Sequence, residues 1–263
     1  MKNKRPELVL ILLCSLFLVL ILLAYTLQGK TIALIEEPMA ILQVDNTSYS
    51  LNLGVIPLQI FSLACALIFL NLAGEFFGKR EAIFLSLAGG LAIGFIWLLL
   101  KGFSLIPTVE NQVAFYQAYT TLFNLESRSA AALAGSVVAG FACTATLFEL
   151  FRRMTCNGFV IIRIFLSQLL GLAVFAAFDA VIEQGMAAPF GQVLALGVTR
   201  YVQWFLLSFL LIPVFYILFI PFRILIGREH YAAVKARFAK GKLFLHVEKN
   251  FFKARNQVQE KRI

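Results

Sequence analysis

Six long apolar runs, at about residues 8–27, 53–73, 82–100, 130–151, 159–182 and 201–221, constrain this chain more than any motif it carries. A helix crosses a ~30 Å hydrocarbon layer with roughly 20 apolar residues at ~1.5 Å each. A soluble core has no use for six such segments. The mean hydropathy of +0.86, with 60% hydrophobic and 14% charged residues, points the same way. The connections between the runs are too short to hold a soluble domain. The expected fold is therefore all-α: a polytopic membrane domain of six transmembrane helices over residues 1–226, followed by a basic amphipathic tail at 227–263.

The net charge of +9 is distributed as a topology signal rather than as a nucleic-acid surface. Eleven of the 23 Lys and Arg residues follow Phe222. Three more precede the first run, Lys79 and Arg80 lie in the second connection, and Arg152 and Arg153 lie in the fourth. The opposite side holds Lys30, Lys101, Arg128 and Arg200, which makes eighteen against four. The positive-inside rule places both termini in the cytoplasm and the protein in the cytoplasmic (inner) membrane as a multi-pass chain. The basic tail is read as a contact to anionic headgroups, with no direct nucleic-acid partner.

Lys2, Lys4 and Arg5 before an apolar stretch are also how a secretory signal begins. Residues 8–27 are too long for that and lack a small-x-small cleavage site, so they are read as an uncleaved first helix. Cys14, Cys65 and Cys143 fall inside apolar runs and Cys156 in a basic turn, which fits small buried hydrophobes and no disulfide framework. No metal-type spacing is present, and no metal or cofactor is expected.

Two outer connections are longer. Residues 28–53 alternate weakly and include Glu36-Glu37-Pro38 and an Asn46-Thr47-Ser48 sequon. Residues 101–129 carry Phe115, Tyr116, Tyr119 and Phe123, an interfacial belt or short surface helix. A lid over an outward cavity is the sharper alternative. In the fourth run Ala132, Ser136, Gly140 and Thr144 recur every four residues, as do Gly90 and Gly94 in the third. Small residues at that spacing let helix backbones approach where lipid supplies no hydrophobic drive, so the fourth helix is expected at the centre. Pro213 is expected to kink the sixth helix.

Polar groups inside spans are costly, and each is a functional candidate. Gln168 lies near the middle of the fifth run beside Ser167. Its amide offers donor and acceptor together, for the edge of a heterocycle or for a neighbouring helix. Asn71 and Glu75 lie four apart on one face of the second helix. Arg163 either snorkels to the headgroups or pairs with Glu75 or Glu149. Asp179, Asn52, Gln59 and Gln203 lie near the outer ends, as does Trp204, an interfacial anchor or a platform for an aromatic ligand. His230 and His246 sit alone in the tail. No His lies in a span, and no nucleophile elbow, phosphate loop or HExxH is present, so catalysis is not expected.

Two stretches resemble the vitamin-uptake-type transporter family, best known for queuosine precursor transporters. Asn71-Leu-Ala-Gly-Glu75-Phe-Phe-Gly78-Lys79-Arg80 is similar to that family's second-helix exit, with Asn71 where the family has Asp and Gly74 where it has Asn. Ser167-Gln168-Leu-Leu-Gly171-Leu-Ala-Val-Phe175 resembles its Ser-Gln-Leu-Ile-Asp-Thr segment ending in Phe, with Gly171 in place of Asp. The resemblance spans about residues 50–225 and implies inward transport of a 7-deazaguanine-type nucleobase for tRNA modification. Asn71, Glu75, Ser167 and Gln168 would supply hydrogen bonds between the second, fifth and sixth helices, and Trp204 or nearby phenylalanines would stack on the ring. Two other readings stand beside it. One is the substrate-binding subunit of an energy-coupling-factor-type vitamin importer; the other is a non-transporting scaffold whose tail recruits a partner. The expected partners are a nucleobase-like solute and membrane lipid, and a homo-oligomer is compatible with the small-residue faces.

Overall fold

A computed structural model of the chain describes residues 5–35, 40–44, 47–104, 127–155, 158–185 and 188–239. Six helices are long and apolar enough to cross a membrane. They are α1 (Arg5–Leu27), α2 (Gln59–Phe76), α3 (Lys79–Ser104), a fourth span made of α4 (Ser127–Ser136) and α5 (Ala142–Met154), α6 (Val160–Gln184) and α7 (Phe190–Ile226). A shorter helix, α8 (Arg228–Ala239), follows. Arg5 and Val9 line one cavity with Ile224 and Leu225, so α1 begins and α7 ends on the same face of the bundle. That face is called the terminal face below.

The second helix is the enclosed one. Its apolar window is 83% buried against 50% for the fourth span, so α2, not the fourth helix, is the centre of the bundle. The sequence misleads here because Leu and Ile on α2 carry no mark distinguishing a protein neighbour from lipid. On α1 the buried positions are Val9, Leu13, Phe17, Ile21 and Ala24–Tyr25, one stripe at helical spacing facing α2 and α3. Leu8, Ile11, Leu12, Val19 and Leu23 turn outward, where a hydrocarbon solvent leaves them nothing to gain by burial.

The small-residue stripe is used, and its partner is α6. Ser136 faces Asp179, Gly140 faces Phe175 and Thr144 faces Gly171, each step being four residues on both helices. A Cβ on Gly140 would lie 2.5 Å from the Phe175 Cβ, and one on Gly171 1.9 Å from the Thr144 Oγ1. Between α4 and α5, Val137–Phe141 forms a π turn. Such turns insert one residue and often mark functional positions; this one carries Gly140 onto the seam. On α3, Gly90 abuts Val138 as expected, whereas Gly94 meets nothing within 4 Å and packs no helix.

The sixth span is longer than its apolar run. At 37 residues it extends about 55 Å, and it begins eleven residues before Tyr201. Arg200 and Gln192 interrupt the hydropathy there, but Arg200 forms ion pairs with Asp179 and Glu183 of α6, so the helix continues through it. Pro213 and Pro221 both lie within this helix.

The first outer connection adds what an all-helical reading lacked. β1 (Thr31–Ala33) pairs antiparallel with β4 (Val55–Pro57), and β2 (Ala40–Val44) with β3 (Thr47–Leu51). The weak alternation of residues 28–53 was the trace of these hairpins. Gln203 of α7 holds them down: its Nε2 donates to the carbonyls of Val55 at 2.8 Å, Asn52 at 3.3 Å and Leu53 at 3.4 Å. Glu36, Glu37, Asn46, the aromatic segment around Tyr116, Cys156 and His246 lie outside the described residues.

Candidate functional site

Glu75 ends α2 at the terminal face and is wholly buried. A lone carboxylate there would be costly, and the chain surrounds it with cations. Arg152 Nη2 lies 3.6 Å from Glu75 Oε1, and Arg163 Nη2 lies 3.5 Å from Oε2. Arg152 Nη1 also donates to the carbonyls of Glu75 at 3.0 Å and Gly74 at 3.3 Å, caps for the exposed end of the helix. The Arg163 guanidinium lies 5.3 Å from the Phe148 ring centre. Arg163 therefore does not snorkel to the headgroups: it is buried, and of the two pairings open to it the structure selects Glu75. Glu149 instead accepts from the Lys79 backbone N–H at 3.1 Å and pairs with Arg153 one turn on.

The third partner of Glu75 comes from the tail. Tyr231 on α8 donates its hydroxyl to Glu75 Oε1 at 3.2 Å. Its ring sits edge-on to Phe76 and Phe219, which stack on each other at 5.3 Å. The opening of the tail thus folds back onto the bundle rather than lying on lipid alone. Burial, and then the negative charge and hydrogen bond of Glu75, push the Tyr231 phenol up to about 12. Because an unfolded tyrosine titrates near ~10, the contribution of Tyr231 to stability is complete below that value and is lost as pH climbs toward 12. The melting temperature of the purified protein is expected to fall between pH 10 and 12, and to fall less in Tyr231→Phe.

One turn deeper on α2 lies Asn71, 2% exposed. Neither its amide oxygen nor its amide nitrogen has a hydrogen-bond partner among the described residues. Each unmet group of this kind costs about 1–3 kcal/mol, a large penalty to retain for packing alone. The corresponding step on α6 passes from Arg163 to Ser167 and Gln168. Ser167 is fully buried and donates to the Ile164 carbonyl at 3.0 Å, whereas Gln168 is 6% exposed. Trp204 is also buried, packed among its neighbours rather than exposed at the bundle surface. Its ring lies 4.9 Å from Phe175, on the α6–α7 seam.

The structure thus joins Glu75 to Arg163 and Trp204 to Phe175, and leaves Asn71 on α2 and Gln168 on α6 without a hydrogen bond to one another among the described residues. Arg152 and Tyr231 were missed as members of this cluster. Arg152 is 1% exposed and its neighbour Arg153 is 64% exposed, a difference that a dipeptide in a basic turn does not display. At the opposite face, Arg200 bridges Asp179 and Glu183, and Ser136 lies 3.4 Å from Asp179. Among the described residues no three His, Cys, Asp or Glu side chains group to hold a metal.

A family model described as "Putative vitamin uptake transporter" matches residues 57–218. No curated protein and no solved structure matches the chain.

Proposed function

The chain belongs to the vitamin uptake transporter family, whose model covers more than half of it, and from that membership we propose that it imports a 7-deazaguanine-type queuosine precursor for tRNA modification. It is a multi-pass membrane protein. By the distribution of Lys and Arg, the terminal face is cytoplasmic and the hairpin face external, in the inner membrane. The protein acts by transport rather than by catalysis, and needs no cofactor for it.

The observation that carries the reading is Asn71. A buried amide with both polar atoms unmatched, inside a span, is a site waiting for a partner that itself offers an adjacent donor and acceptor. The edge of a deazaguanine ring offers that pair. Gln168, buried on α6, supplies a second amide, and Ser167 retains acceptor capacity after its own donation. Trp204 and Phe175 supply aromatic faces for the ring, a contact worth about 0.5–1.5 kcal/mol. Glu75, locked to two arginines and Tyr231, closes this site toward the cytoplasm rather than touching solvent. The substrate class itself is supported by the Glu75-to-Arg80 and Ser167-Gln168 stretches.

All these side chains are buried, so a solute reaches them only when helices separate. Asn71→Ala and Gln168→Ala are each expected to reduce uptake of a labelled precursor by about tenfold, the loss of roughly one neutral hydrogen bond. Unchanged uptake in both variants, at equal expression, sinks the proposed site. Rescue of tRNA queuosine modification in cells lacking their own importer tests the substrate.

A further inference from the structure

β3, the end of α6 and the start of α7 border an open cavity of about 340 Å³ on the face opposite the termini, well away from the buried amides. It falls within the ~300–1,000 Å³ usual for small-molecule sites. Tyr49 and Ser50 come from β3, Asn52 from the segment after it, Gln184 from the end of α6, and Gln192 and Thr199 from α7. These six are polar and uncharged, and Ala195 and Leu196 of α7 complete the lining. The adjacent guanidinium of Arg200 is paired with Asp179 and Glu183, so the described lining residues offer a solute hydrogen bonds rather than ion pairs.

The cavity is built rather than incidental. Gly191 is buried beneath the Tyr49 ring, and a Cβ there would lie 2.3 Å from it. The missing side chain lets the hydroxyl end of the Tyr49 ring approach the α7 backbone closely. Gln203 fixes the hairpin base through three backbone carbonyls, as described above. On α7, Gln192, Thr199 and Gln203 follow at spacings of seven and four, so one helix face leads from the cavity to the position next to Trp204.

We infer that this cavity is an outer docking subsite for a planar, uncharged, hydrogen-bonding heterocycle. Three carboxamides and two hydroxyls read its edge, and Tyr49 covers its face. The solute is held here before the α6–α7 seam admits it to Trp204 and Gln168. The inference rests on the transport reading and extends it to residues outside the six apolar runs.

The test uses the full-length protein in liposomes and lipid nanodiscs, with 7-deazaguanine and guanine as probes. The Gln184→Leu/Gln192→Leu double variant is expected to raise the uptake KM about tenfold, with a smaller change in maximal rate. In a Gln192→Cys variant, 7-deazaguanine is expected to slow maleimide labelling several-fold. An unchanged KM in a folded double variant, or labelling indifferent to the probe while Gln168→Ala loses uptake, overturns the docking subsite and leaves the transport reading standing. If the wild-type protein neither binds nor takes up either probe, the substrate reading fails first and the subsite falls with it. Should the double variant not fold, the labelling rate alone decides.

Discussion

Glu75→Gln is expected to destabilise the folded protein by about 3–5 kcal/mol, the usual consequence of removing one partner from a buried ionic cluster, and to abolish uptake. The substitution keeps the size of the side chain and its ability to accept the Tyr231 hydroxyl. It deletes the negative charge that Arg163 and Arg152 approach at 3.5 and 3.6 Å in a buried site. The measurement is thermal unfolding of the purified protein beside its uptake rate. A double variant, Glu75→Gln/Arg163→Gln, is expected to recover part of the loss, because the two changes share one interaction and their effects are not additive. A Glu75→Gln protein that melts with the wild type would falsify the ionic lock at the terminal face.

Gly171→Asp is expected to prevent stable folding. A Cβ at this position would lie 2.8 Å from the Thr144 Cβ and 2.9 Å from its Cα, so the α5 backbone itself occupies the space. Overpacking of this kind costs about 1–3 kcal/mol, and a carboxylate at the middle of a span adds about 2.5–3.5 kcal/mol. Gly171→Ala incurs only the steric part, and Thr144→Ala in the same protein is expected to restore some of it by removing the Oγ1 clash. Size-exclusion profiles in detergent rank the three variants. The expected order is wild type, Gly171→Ala/Thr144→Ala, Gly171→Ala, then Gly171→Asp, and a monodisperse Gly171→Asp protein sinks the argument. This also accounts for the departure at Gly171 from the family-like segment: Thr144 fills the place where an acid would sit.

What could be read in advance follows from the range of each interaction. Spans and small-residue spacing are local patterns, so Gly140 and Thr144 announced a close helix contact before its partner was known. The pairing of Arg163 with Glu75 joins helices 88 positions apart in sequence, and sequence reasoning left two partners open to it. The burial of Trp204 was not legible, because its indole packs on Phe175, a residue of a different run. Arg152 and Tyr231 gave no signal, since a basic turn and an amphipathic tail explain both without any contact to Glu75.

The sequence by itself determined that the chain crosses a membrane six times, because twenty apolar residues have no other economical solvent. It also determined the candidate amides, because a polar side chain within such a run is costly wherever the helix stands. Only the tertiary structure decided which of those costs are met. Packing placed two arginines and a tail tyrosine around Glu75, left Asn71 unmatched, and folded a hairpin against the cavity at the start of α7. Each of those outcomes depends on the distance between groups remote in the chain, and the electrostatics and hydrogen bonding of a low-dielectric interior act over only a few ångströms.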